Sequence, residues 1–178
     1  MSPLNFLLQY VRRPREIGAV APSSKALAHA MLTPIDWQQV RTIAEFGPGT
    51  GVMTHQILKR MRQDAKLTTF EVNEDFCQEL EHIDDDRLTV RAQSAEKLDF
   101  QADAIISSLP MNAFPIRKKM RILNAAVKHL APEGRFVQFQ YTTNLEPLLE
   151  SYFIHVQRRW IPINLPPAFV YVCRKSMR

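Results

Sequence analysis

The stretch Ile43-Ala44-Glu45-Phe46-Gly47-Pro48-Gly49-Thr50-Gly51 decides how the rest of the chain is read. An apolar strand, Thr42 to Phe46, runs into a cluster of glycines, and a helix follows from about Val52 to Met61. Glycine lets a backbone turn tightly and approach a ligand closely. The free N–H groups at a helix start then face the polar end of that ligand. The chain is sparing with this residue: it holds 5 glycines in 178 residues, and Gly47, Gly49 and Gly51 are three of them. About 12 would be ordinary at this length. The spacing is GxGxG; the GxGxxG of nicotinamide-binding proteins would need glycine where Val52 stands.

Glu71 is the second anchor. It closes a strand read as Leu67 to Val72, and it lies 71 − 51 = 20 residues beyond the last glycine of the turn. An acidic residue at about that distance accepts hydrogen bonds from ribose hydroxyls. The glycine turn and Glu71 together point to an adenosine-containing cofactor.

Outward from these anchors, strands and helices alternate. An acidic helix spans about Glu74 to Leu80, strands cover Leu88 to Arg91 and Ala102 to Ser107, and a basic helix runs from Pro115 to Leu130. A turn at Pro132-Glu133-Gly134 feeds a strand from Arg135 to Tyr141. Two last strands, Tyr152 to Trp160 and Phe169 to Arg174, are joined by the proline-rich stretch Ile161 to Ala168. Such alternation implies an α/β fold, with a mostly parallel seven-stranded sheet, an antiparallel edge hairpin and helices on both faces. Ligands in such sheets bind beyond the carboxyl ends of the strands. Ahead of this domain, residues 34–178, an N-terminal segment of residues 1–33 carries apolar residues Leu4, Leu7, Leu8 and Val11 at helical spacing. Ser23 and Ser24 read as the N-cap of a further helix toward Leu32.

Composition narrows the class. There are 23 basic and 18 acidic residues, a net charge of +5, compatible with an anionic partner such as nucleic acid or a phospholipid surface. No apolar run reaches the roughly 18 residues of a membrane span. Arg12, Arg13 and Arg15 follow the first apolar stretch instead of preceding it, unlike a signal peptide. Cys77 and Cys173 form no disulfide framework and no metal spacing, and a reducing cytoplasm is the default compartment. The five histidines show no ligand spacing, so no metal is assigned.

Glu45-Phe46-Gly47-Pro48-Gly49-Thr50-Gly51 with Glu71 resembles motif I and the acidic loop of Rossmann-type S-adenosylmethionine-dependent methyltransferases. Gly18 to Ser24, Ser107-Ser108-Leu109-Pro110 and Asn164-Leu165-Pro166-Pro167-Ala168 narrow the likeness. With them, the chain resembles bacterial phospholipid N-methyltransferases, which methylate phosphatidylethanolamine and are related to ribosomal RNA adenine dimethylases. The resemblance implies S-adenosyl-L-methionine as cofactor. Glu45, Gly47, Gly49 and Gly51 would border its methionine part and Glu71 its ribose. Ser94 and Ala95, with Glu96 as a further candidate, would lie along the adenine, and Pro22-Ser23-Ser24 would close over the amino-acid end. Ser94 also reads as a plain helix cap, and Ser23 and Ser24 as a plain N-cap.

The acceptor would meet the tail after Ser107. Adenine-specific relatives carry Asn at its start and an aromatic residue straight after the proline, where this chain has Ser107 and Met111. That departure disfavours a nucleic-acid acceptor and leaves a phospholipid headgroup as the expected substrate. Tyr141 is the candidate to orient an amine by hydrogen bond or cation–π contact, and a core tyrosine is the alternative. The first helix with its arginines, the cluster Arg117, Lys118, Lys119 and Arg121, and Arg158 with Arg159 suit an anionic membrane surface on the cytoplasmic side. A nucleic-acid methyltransferase and a non-catalytic cofactor-binding module remain the alternatives.

Overall fold

A computed structural model describes residues 22–175; the helix over Leu4 to Val11, Arg12, Arg13, Arg15 and Gly18 lie outside them. Helix α1 covers Pro22–Leu32, and β1 (Thr42–Phe46) leads through the glycine turn into α2 (Val52–Leu58). Then come β2 (Lys66–Phe70), α3 (Glu74–Glu81), β3 (Leu88–Arg91), a 3-10 turn over Ala95–Lys97 and β4 (Ala102–Ser107). A second 3-10 turn at Met111–Ala113 precedes α4 (Ile116–His129), β5 (Leu130–Gln140), α5 (Glu146–Tyr152), β6 (His155–Ile161) and β7 (Ala168–Arg174).

The strands form one seven-stranded sheet in the order β3-β2-β1-β4-β5-β7-β6. All neighbours from β3 to β5 are parallel, and β7 is antiparallel to both β5 and β6. β1 is buried from Ile43 through Phe46, as a central strand covered on both faces must be. One face packs Ile43, Val137 and Val170 against Leu27, Met31 and Leu32 of α1 and Ile57 of α2. The other packs Phe46, Ile105, Phe136 and Tyr171 against Ile122, Leu123 and Ala126 of α4 and Leu149 of α5. Helix α4 therefore buries an apolar stripe and turns its charged residues outward.

Register brings the functional edge together. Phe46 pairs with Phe70 and with Ser107, and Ser107 pairs with Gln138. The residues just past these strand ends, Gly47, Glu71 and Ser108, therefore emerge side by side. β6 runs in the direction of β5, because β7 opposes both. The loop joining β6 to β7 thus projects from this same carboxyl edge.

Several expectations need correction. Within the described residues α1 runs from Pro22 to Leu32, so Ser23 and Ser24 lie in helical backbone and not at an N-cap position. α2 stops at Leu58 rather than Met61. Beyond it, the N–H groups of Arg60 and Met61 both donate to Ile57 O, tightening the last turn. The residues Pro132-Glu133-Gly134 lie within β5, not in a turn ahead of it. Pairing skips from Ala102–Leu130 to Ala104–Arg135, so the β5 side bulges there. A Cβ on Gly134 would stand 2.8 Å from Leu130 Cδ1 and 2.9 Å from Asp103 O, which reserves the position for glycine. Finally, the strand read from Tyr152 begins only at His155, and α5 precedes it. Leu145, Leu149 and Phe153 are buried at four-residue spacing, and Pro147 sits in the first turn; this is a helical pattern.

Arg87 ties the end of α2 to the sheet. Its guanidinium donates to the carbonyls of Leu58 (3.0 Å), Met61 (3.2 Å) and Arg62 (3.3 Å) while pairing with Asp85 at 2.6 Å. That pairing holds the Asp85 carboxyl below its ordinary range. Arg87→Ala leaves those helix-end carbonyls without their charged donor and is expected to cost about 2 kcal/mol. Urea denaturation checks this: the midpoint should fall at unchanged slope.

Candidate active site

All three glycines of the turn adopt left-handed backbone angles: φ is 68° at Gly47, 55° at Gly49 and 79° at Gly51. Side chains rarely tolerate that region, so the local sequence requires glycine. Each has a different neighbour. Leu109, from the segment after β4, packs on Gly47 so closely that a Cβ there would lie 2.6 Å from its Cδ2. At Gly49 a Cβ would meet nothing within 4 Å, so this backbone faces open space. Gly51 precedes α2 as its cap residue.

Glu71 spans the cleft from the end of β2. Its Oε2 accepts the Gly49 N–H at 3.1 Å, and Oε1 accepts those of Val72 at 2.8 Å and Asn73 at 3.0 Å. A carboxylate has about four acceptor sites, so capacity remains for a hydroxyl donor. Below it, Glu45 is fully buried on β1. Thr54 Oγ1 of α2 donates to its Oε2 at 2.7 Å, while Oε1 has no partner. Burial pushes the Glu45 carboxyl up to about 8; the Thr54 hydrogen bond opposes this and the charge of Glu71 adds to it. An open backbone, a carboxylate at its rim and a buried carboxylate oxygen without a donor fit a ligand with ribose hydroxyls at one end and an ammonium at the other.

Ser94 caps the short 3-10 turn, accepting the Glu96 N–H at 3.4 Å, and Ala95 is buried behind it. Glu96 is engaged by Arg121 at 2.6 Å.

Ser107 is completely buried at the end of β4, and its Oγ lacks a partner. Its neighbour in register, Gln138, donates to Leu109 O at 3.1 Å and Phe139 O at 2.7 Å. Gln140 donates to Leu109 O at 3.0 Å and accepts the Asn112 N–H at 3.3 Å. Asn112 in turn donates to Thr142 Oγ1 at 2.8 Å. The β4 tail is therefore pinned to β5 by two side-chain amides. Oε1 of Gln138 and Oδ1 of Asn112 are buried without partners, as is Ser107 Oγ.

Ser107 and Tyr141 do not share a sheet face. Ser107 lies level with Gln138 on the α4 side, whereas Tyr141 alternates with Gln140 and joins the α1 side, edge-on to Phe139 with ring centroids 5.6 Å apart. Sequence reading missed Gln138, Gln140, Asn112 and Thr54. One signal was available: two glutamines alternating with Val137, Phe139 and Tyr141 put amides on the inner face of a buried strand. Among the described residues no group of three or more His, Cys, Asp or Glu is placed to hold a metal.

A family model described as a methyltransferase domain matches residues 43–134, from β1 through the β5 bulge. The chain belongs to this family. It is an S-adenosylmethionine-dependent methyltransferase with the Rossmann-like fold of class I. The methyltransferase is 28% identical over 180 residues to ornithine lipid N-methyltransferase of Singulisphaera acidiphila, covering 95% of this chain and 94% of that one. Its fold is similar to N-methyltransferase NodS from Bradyrhizobium japonicum, in complex with S-adenosylhomocysteine, with TM-score 0.71, 14% identity, and coverage of 94% of this chain and 97% of that one. It is also similar to the DhpI complex with S-adenosylhomocysteine, with TM-score 0.72, 17% identity, and coverage of 97% and 96%. No helix among the described residues is long and apolar enough to cross a membrane.

Proposed function

We propose that this methyltransferase methylates the primary amine of a membrane lipid, with phosphatidylethanolamine as the expected acceptor. The observation that carries the reading is the likeness, over 95% of the chain, to a protein described as a lipid N-methyltransferase. Ornithine lipid and phosphatidylethanolamine both offer a primary amine, so the likeness supports the class of acceptor.

S-adenosylmethionine supplies an activated methyl on a sulfonium, and the protein's task is alignment and exclusion of water. Glu71 receives a ribose hydroxyl on its remaining acceptor site. The unpartnered Oε1 of Glu45 lies on the side of the methionine ammonium, behind Gly47. Ser94 and Ala95 border the adenine, and Ser23 and Ser24 stand at the start of α1 as the cover over the amino-acid end. A protonated amine must lose a proton before it attacks. Ser107 Oγ, Asn112 Oδ1 and Gln138 Oε1 are buried uncharged oxygens without a partner at this end of the sheet, and they would accept the amine's remaining N–H bonds once the headgroup enters. The amides of Gln138 and Gln140 hold the Leu109 carbonyl, and with it the wall between acceptor and cofactor. Tyr141, on the opposite face of β5, presents a ring to the ammonium of the zwitterionic headgroup before that ammonium loses its proton. An RNA acceptor is less well served: Met111, where adenine-specific enzymes carry their stacking aromatic, is completely buried.

Labelled S-adenosylmethionine offered in parallel with phosphatidylethanolamine liposomes, ornithine lipid liposomes and total RNA tests the reading. Label in a lipid amine supports it; label in RNA alone overturns it. In the same assay Tyr141→Ala is expected to lower kcat/KM by about tenfold, while Tyr141→Phe keeps most of it, because the ring and not the hydroxyl holds the cation.

A further inference from the structure

The methyltransferase exposes large apolar side chains at a place the catalytic edge explains. In and beside the loop from β6 to β7, Ile163 is 75% exposed, Leu165 79% and Trp160 62%. Asn164, between the two aliphatic residues, is only 5% exposed. Its side-chain amide donates to Pro166 O at 2.7 Å and its backbone N–H to Ile161 O at 3.3 Å. The inward Asn164 thus braces the loop and turns Ile163 and Leu165 to solvent as a built wedge. Among the described residues neither Ile163 nor Leu165 belongs to the core on either face of the sheet.

Two further observations say what covers them. The loop projects from the carboxyl edge of the sheet, where Gly47, Glu71 and Ser107 emerge. Other apolar groups stand on that edge: Val72, straight after Glu71, is 66% exposed, and Ile116, at the first turn of α4, is 56% exposed. Cations accompany them. Arg117 is exposed beside Ile116, and the Lys118 ammonium lies 4.3 Å from the Phe114 ring. Arg158, paired with Glu146 and lying over the Phe169 ring, and the half-buried Arg159 precede Trp160 on β6.

We infer that the β6–β7 tip, with Trp160, Ile163 and Leu165, is the wedge by which the protein seats on an anionic phospholipid bilayer, catalytic edge toward the lipid. The inference rests on the lipid-amine reading for its purpose and on the exposed tip for its location. Aliphatic tips enter the acyl boundary, tryptophan prefers the headgroup level, and Arg and Lys meet lipid phosphates. A headgroup could then reach the β4 tail without its lipid leaving the bilayer.

The test uses the full chain and vesicles of phosphatidylethanolamine with phosphatidylglycerol. The paired variant Ile163→Ser and Leu165→Ser should keep the melting midpoint and the affinity for S-adenosylmethionine, because both side chains are solvent-facing. Its partitioning onto vesicles should fall roughly a hundredfold, since burying each aliphatic side chain favours binding about tenfold. Turnover of bilayer lipid should fall in step, while turnover of monomeric short-chain phosphatidylethanolamine should not. In a Trp37→Phe background, Trp160 emission should shift to the blue on adding vesicles. Equal partitioning of the paired variant, or emission unmoved by vesicles, overturns the inference. So does a concentration-dependent dimer that the variant abolishes while vesicle binding stays unchanged. Partitioning is measured without turnover: loss of vesicle binding in the variant supports the wedge even if no lipid amine is methylated, an outcome that removes only the acceptor reading.

Discussion

Glu71→Ala is expected to weaken S-adenosylmethionine binding by on the order of a hundredfold, measured calorimetrically. The Glu71 carboxylate accepts the N–H groups of Gly49, Val72 and Asn73, so it both braces the glycine turn and offers its remaining acceptor site to the cleft. Hydrogen bonds to a charged acceptor contribute about 1.5–3 kcal/mol each. Losing the one to the ribose hydroxyl proposed for its remaining site therefore removes about 1.5–3 kcal/mol, and a loosened Gly49 adds to the loss. Glu71→Gln should fall in between, because the amide keeps one acceptor oxygen and loses the charge. Unchanged affinity in Glu71→Ala would refute the ribose role.

The second large effect is a pH dependence of stability that belongs to Glu45. Burial raises its carboxyl from the ordinary 4.5 to about 8. Between those values the unfolded chain has lost the proton while the folded protein keeps it. Folding then takes up a proton, so the stability from this group is full at low pH and is lost as pH rises toward 8. The slope is about 1.4 kcal/mol per pH unit, a few kcal/mol in all, before it levels off. Urea unfolding of the cofactor-free protein from pH 5 to 8 should show this decline. Glu45→Gln should flatten it, since the amide can still accept from Thr54 and has no proton to lose. An undiminished decline in the variant would assign the effect to other groups. Saturating S-adenosylmethionine should also reduce the slope if its ammonium sits beside Oε1 as proposed, because that charge favours the ionised carboxyl.

Both predictions rest on residues legible in the sequence, and the reason is local. A left-handed turn can be read from glycine spacing because the backbone angle itself demands the residue, wherever the rest of the chain lies. Strands β1, β3 and β4 begin and end where composition places them, being short apolar runs with clear stops. Legibility fails where non-local pairing decides. The Pro132-Glu133-Gly134 stretch reads as a turn from its residue types alone, but its pairing beside β4 makes it a bulge within β5. The segment from Glu146 to Tyr152 has a helical burial pattern that only appears once Leu149 is seen against the sheet. Tyr141 could be read as near the acceptor, but not that it takes the face opposite Ser107.

By itself, then, the sequence determined the glycine turn, Glu71 at the end of its strand, the alternating fold and the class of cofactor, because each depends on backbone requirements or on order along the chain. Only the tertiary structure decided that Glu45 keeps an unpartnered oxygen, that Gln138 and Gln140 pin the Leu109 carbonyl, and that the β6–β7 tip shares the catalytic edge. These depend on register between strands far apart in the chain, where a shift of one residue moves every side chain to the other face.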